Sequence, residues 1–219
     1  SEKKFLLPKL DKLLSSGKYI LSEEVDKFEF NIKKYHGLKY CISVNSGTDA
    51  LILSLLALNI GPGDEVITQA NSYIASAASI NAVGAKPIFV DVLKDQTMDP
   101  NSLTKKITRK TKAIMPVHLT GRMCDMDNIM RIARKNKIKV IEDSAQSIGA
   151  SFKNRKSGTF GDCSAFSTHP LKNLNACGDG GFVITNNKKI SDFIRLKRNH
   201  GHFNRDKINF WGTASRLDS

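Results

Sequence analysis

The sequence predicts an α/β fold, a mostly parallel central sheet with helices on both faces. Three observations predict it. Strand-like segments alternate with helices of about ten residues, the order that builds parallel sheets. Two of those strands, Pro87 to Val92 and Ile138 to Glu142, read as short buried runs. No internal repeat or low-complexity linker interrupts the series, so residues 1–219 read as one domain, opened by a short N-terminal helical segment.

Each element has a local reason. After a polar opening, Glu23 to Tyr35 carries Val25, Phe28, Phe30 and Ile32 among charges, at roughly helical spacing. Thr48 to Asn59 is a strongly apolar helix, with Thr48 or Ser46 as its cap and Gly61 just past its end. Gly61-Pro62-Gly63-Asp64 is a turn, and Glu65 to Thr68 follows as a strand. Tyr73 to Val83, rich in Ala and Ser and closing at Gly84, suits a tightly packed helix before the Pro87 strand. The pattern then repeats: helix Asn101 to Ile107, strand Lys112 to His118, helix Met126 to Asn136, strand Ile138 to Glu142. Strands Cys163 to Thr168 and Gly181 to Thr185 precede a last helix near Lys188 to Arg198.

Composition narrows the function classes. Hydrophobic residues make up 40% and charged residues 25%, as in ordinary globular chains. No run approaches the roughly 18 apolar residues of a membrane helix, and the first residues lack a signal-peptide core, so a cytoplasmic protein is expected. Cys41, Cys124, Cys163 and Cys177 share no CxxC spacing, which fits free thiols in a reducing compartment. His200 and His202 have nothing nearby to complete a coordination set, so no metal is expected. Lys+Arg 34 against Asp+Glu 21 gives +13, which fits an anionic ligand, a nucleic-acid surface or a solvated basic exterior.

Parallel sheets place ligands at the carboxyl ends of their strands, and three such ends carry chemistry. Asn45-Ser46-Gly47-Thr48 precedes the apolar helix, and small residues there let an anion approach the unpaired first amides. Glu142-Asp143-Ser144-Ala145-Gln146 follows a buried strand, where an acid needs a cationic partner such as a protonated heterocyclic nitrogen. Ser167-Thr168-His169-Pro170-Leu171-Lys172-Asn173 ends another strand, and a lysine held from water there can form a Schiff base with an aldehyde. Singly, each has a plainer reading: an N-cap, a helix cap and a surface lysine. Together they are the phosphate anchor, pyridinium partner and aldehyde-binding amine that pyridoxal 5′-phosphate requires.

In order and content these segments resemble the DegT/DnrJ/EryC1/StrS family of sugar aminotransferases, of the aspartate-aminotransferase fold type. The resemblance also takes in Gly17-Lys18-Tyr19, Phe28-Glu29, Asp49-Ala50-Leu51, Gly61 to Ile67, Val117-His118-Leu119-Thr120-Gly121 and Arg216-Leu217-Asp218. It implies that Lys172 binds the cofactor aldehyde and that Asp143 keeps the pyridine nitrogen protonated. Gln146 then contacts the ring near its phenolic oxygen, Gly47, Thr48 and Ser167 bind phosphate, and Tyr73 stacks on the ring. The implied reaction takes an amino group from an amino acid, glutamate, to a keto group of a nucleotide-linked sugar, in a homodimer. A lysine at position 172 argues against the family's dehydratase branch, which has histidine there.

Two departures stand out. Ala214 takes the place of an asparagine that in relatives reaches the neighbouring subunit's cofactor phosphate. The chain also stops at Ser219, where family members continue into a smaller C-terminal domain. A non-catalytic relative that binds the cofactor is therefore a second reading. A third is a nucleic-acid-binding regulator, carried by basic runs such as Lys105, Lys106, Arg109 and Lys110, or Arg131, Arg134 and Lys135. No zinc finger, aromatic-bearing RNA motif or helix-turn-helix accompanies them.

Overall fold

The computed structural model describes residues 2–204 and 206–219. Strands β1 (Tyr40–Val44), β2 (Glu65–Gln69), β3 (Lys86–Val90), β4 (Thr111–Met115), β5 (Lys139–Asp143), β8 (Cys163–Ser167) and β9 (Gly181–Thr185) form one sheet. Their order is β1-β9-β8-β5-β4-β2-β3. The four pairings from β8 to β3 are parallel, and β9 runs antiparallel to both of its neighbours. A small hairpin, β6 (Ser151–Phe152) with β7 (Arg155–Lys156), stands apart.

Seven helices accompany the strands among the described residues. They are α1 (Lys3–Ser16), α2 (Glu23–His36), α3 (Gly47–Ala57), α4 (Ile74–Ala82), α5 (Pro100–Lys106), α6 (Met126–Asn136) and α7 (Lys188–Lys197). Side-chain alternation along the strands sorts the core into two layers. Val66, Met115, Ile141, Ala165 and Val183 pack with Leu53 and Leu55 of α3 and Ile194 of α7. Ile67, Ile114 and Val140 pack on the other side with Ile129 and Ile132 of α6. Phe166 and Phe182 continue that second layer under α2, stacked with ring centroids 4.7 Å apart. Both faces of the sheet are covered, as the sequence predicts. The basic residues of α6 lie opposite its buried face of Met126, Ile129, Ile132 and Ala133, so they line solvent.

Two features go beyond the sequence reading, and a third decides between its alternatives. The polar opening before Glu23 is itself a helix, α1, which buries none of its residues and leaves Phe5, Leu10 and Leu14 exposed, while α2 lies where the helical spacing from Glu23 to Tyr35 places it. Strand β1 has no counterpart in that reading. Of the two caps the sequence offers for α3, Ser46 is the one used: it accepts the Asp49 N–H at 3.0 Å, which leaves Thr48 inside the first turn.

Edge strand β1 is closed by charge rather than by another strand. Glu29 Oε1 accepts the Ser43 N–H at 2.9 Å, while Arg195 and Arg198 donate to the carbonyls of Cys41 and Ser43. The same two arginines pair with the Glu29 carboxylate at 2.6 and 2.7 Å. Backbone groups that could template another chain are thereby occupied.

Candidate active site

The carboxyl ends of β5 and β8 and the N-termini of α3 and α4 surround one cavity of about 350 Å³. All seven residues singled out in the sequence line it. Gly47 and Thr48 come from α3, Tyr73 from the start of α4, Asp143 and Gln146 from the end of β5, and Ser167 and Lys172 from the end of β8.

The anion cradle is built by close packing. A Cβ on Gly47 would lie 2.7 Å from Ser167 Cβ, and one on Gly181 would lie 2.6 Å from the Ser46 carbonyl carbon. Glycine at both positions lets the first turn of α3 sit directly against the ends of β8 and β9. With Asp49 N–H taken by Ser46 and Ala50 N–H by the Ser46 carbonyl, the Gly47 and Thr48 amides precede the first intrahelical bond. Such amides, beside Ser167, suit a phosphate. Ser215, next to Ala214, lies close by: its hydroxyl donates to Asp49 Oδ2, with Asn45 Oδ1 3.2 Å away.

Asp143 is buried. Ser76 Oγ donates to its Oδ2 at 2.6 Å and the Ala145 N–H to its Oδ1 at 3.2 Å. Burial pushes its carboxyl above the ordinary aspartate value, while these two hydrogen bonds and the Lys172 charge oppose that rise. A cationic ring nitrogen entering the cavity would favour the carboxylate further. Glu142, one residue earlier, faces the opposite side of the sheet and is wholly enclosed. It accepts the N–H groups of Gly158, Phe160 and Gly161 and His118 Nε2. The Cys124 N–H lies 3.3 Å from His118 Nδ1, so Nε2 is the nitrogen that faces Glu142.

Lys172 rides on the loop between β8 and β9. It is half-buried rather than sealed from water. Its N–H donates to the His169 carbonyl at 2.8 Å, and the Leu171 N–H donates to His169 Nδ1 at 3.1 Å, so His169 folds the turn that presents the amine. Gln146 is oriented by accepting the Thr120 N–H at 2.7 Å. Tyr73 is 69% exposed and forms the outer wall.

Among the wall residues that carry no role in the sequence reading are Ser76 and His169. His169 stands inside the Ser167 to Asn173 segment and could be picked out from it. Ser76, in an Ala/Ser-rich helix, has no sequence signal. Among the described residues no cluster of three or more His, Cys, Asp or Glu is placed to hold a metal ion, and no helix is long and apolar enough to cross a membrane. Cys41, Cys124 and Cys163 are buried free thiols, and Cys177 is an exposed one.

Residues 1–218 match the sequence pattern of the DegT/DnrJ/EryC1/StrS aminotransferase family. The chain belongs to this family. It is 45% identical over 210 residues to the dTDP-3-amino-3,6-dideoxy-alpha-D-galactopyranose transaminase of Aneurinibacillus thermoaerophilus, a match covering 95% of this chain and 58% of that one. S. venezuelae DesV in complex with a ketimine intermediate superposes with a TM-score of 0.96 at 39% identity, over 99% of this chain and 59% of that one. NtdA of Bacillus subtilis with bound cofactor PMP gives 0.93 at 36% identity, over 99% and 50%. The chain therefore spans between half and three fifths of the length of these family members.

Proposed function

We propose that residues 1–219 form the cofactor-binding large domain of an aminotransferase dependent on pyridoxal 5′-phosphate. It moves an amino group from an amino acid, glutamate, to a keto group of a nucleotide-linked sugar, acting as a cytoplasmic homodimer. One observation carries the reading: a single cavity gathers a reachable amine (Lys172), a buried carboxylate (Asp143) and an anion cradle (Gly47, Thr48, Ser167). The set fits this cofactor at each of its three polar points.

Each of these residues then has a part. The first turn of α3 and Ser167 anchor the phosphate. Asp143 would hold a positive ring nitrogen, Tyr73 would cover the ring, and Gln146, oriented by the Thr120 N–H, would contact it. When bound, the cofactor supplies an electron sink for the charge left at the donor's α-carbon. Lys172 Nζ would hold the aldehyde, and its free amine would carry a proton to and from the donor's α-carbon. The formal charge of +13 suits the phosphates of a nucleotide sugar.

Visible absorbance tests this. The protein incubated with the cofactor turns yellow, borohydride fixes the label to Lys172, and Lys172→Ala stays unlabelled. Added glutamate then shifts the band, and a keto-sugar nucleotide restores it. A protein that stays colourless with excess cofactor overturns the reading. Colour without a glutamate response favours the non-catalytic cofactor binder.

A further inference from the structure

Ser76 occupies the first turn of α4, three residues after the Tyr73 cap, and is 1% exposed. Its hydroxyl meets Asp143 Oδ2 at 2.6 Å, and both side chains line the cavity. An ionised carboxylate only accepts, so the hydroxyl is the donor. Oδ1 takes one longer bond, 3.2 Å, from the Ala145 amide. Burial favours the neutral acid, whereas hydrogen bonds to the carboxylate favour the anion. Both bonds reach the same carboxylate, and the shorter one, from Ser76, outweighs the longer one from the Ala145 amide.

We propose that Ser76 is a positioning residue for Asp143: its hydroxyl aims the carboxylate and holds it as an anion, ready to pair with a protonated ring nitrogen. The inference rests on the reading of the cavity as a pyridoxal 5′-phosphate site, and it makes the strength of that pairing a property of α4 as well as of β5. Without the hydroxyl, Oδ2 is free to turn or to take a proton, and a neutral acid cannot hold a cation.

Equilibrium binding of two probes separates this from simple packing. Pyridoxal 5′-phosphate and its 1-deaza analogue, with C–H in place of the ring nitrogen, share the aldehyde and phosphate and differ only where Asp143 acts. The wild-type protein is expected to prefer the natural cofactor. In Ser76→Ala that preference falls roughly tenfold, the size of one hydrogen bond to a charged group, while affinity for the analogue stays the same. Ser76→Cys, close in shape but a poor donor, behaves like Ser76→Ala and guards against a folding defect in either variant. Equal weakening of both probes, or an unchanged preference, overturns the proposal and leaves the cofactor reading standing. A wild-type protein that takes up neither probe overturns both.

Discussion

The cavity has two walls of different construction. One is made by β5 and the N-terminal turns of α3 and α4, where Asp143 and Ser76 are buried and Gly47 is pressed against Ser167. The other is the loop from Thr168 to Gly180, closed at its neck by the Thr168 N–H on the Gly180 carbonyl and the Ala176 N–H on the Thr168 carbonyl, both at 2.8 Å. Beyond that neck the loop is largely exposed, with Leu171 at 88%. The acid and the anion cradle are therefore products of core packing, whereas the amine is presented by a few local hydrogen bonds. Damage to the first wall should cost stability, and damage to the second should cost chemistry alone.

The sharpest test is on the strand side. Glu142→Ala leaves three backbone amides and His118 Nε2 without an acceptor in a closed space, a loss on the order of 4 kcal/mol. Leu171→Ala, on the loop, should stay within about 0.5 kcal/mol. Urea unfolding of the two variants measures the contrast, and a destabilised Leu171→Ala would erase it. Next comes Gly47→Ala, which drives a Cβ to 2.7 Å from Ser167 Cβ. Overpacking of this kind costs about 1–3 kcal/mol, and cofactor affinity falls with it. Adding Ser167→Gly should restore most of the stability but not the affinity. If the single variant unfolds like wild type, the close packing of α3 on β8 is not what shapes the cradle.

These results also explain what could be read from the sequence. Met126–Asn136 and Gly181–Thr185 match their expected bounds, because a helix with a strong apolar face and a buried strand are set by neighbouring residues. Asp143 and Lys172 were legible for a similar reason: each sits in a short contiguous segment ending a strand. Ser76 was not, since its partner lies 67 residues away. The Glu29–Arg198 pair spans 169 residues, so the contact that closes strand β1 leaves no local trace either. Local chemistry leaves a trace in sequence, and long-range pairing does so only through an accumulated pattern.

The edge cluster gives a smaller effect, expressed through pH. Burial would raise the Glu29 carboxyl, but Arg198 and Arg195 more than offset it and hold it below the ordinary glutamate value. The unfolded chain then binds more protons than the folded one, so stability rises with pH. The contribution is complete above the unfolded value and is lost as pH falls through the folded one. Glu29→Gln should therefore flatten the loss of stability below about pH 4.5, the region where ordinary glutamates titrate. A slope equal to that of wild type would mean that the cluster closes the strand edge without its charge mattering.

The smallest effect bears most directly on the loop. His169 Nδ1 accepts the Leu171 N–H, and its carbonyl accepts the Lys172 N–H, so one residue sets the turn that aims the amine. Asparagine can accept from the backbone two residues on in the same way, and alanine cannot. His169→Ala should slow borohydride-trappable attachment of the cofactor to Lys172 about fivefold, the worth of one ordinary hydrogen bond. His169→Asn should recover most of that rate. Neither change should move the urea midpoint appreciably, because the turn is solvated and outside the core. If alanine and asparagine behave alike, the imidazole does not shape the turn and the neck at Thr168 and Gly180 is enough to place the amine. If both lower stability, the loop is part of the core after all, and the division between the two walls fails at the residue chosen to test it.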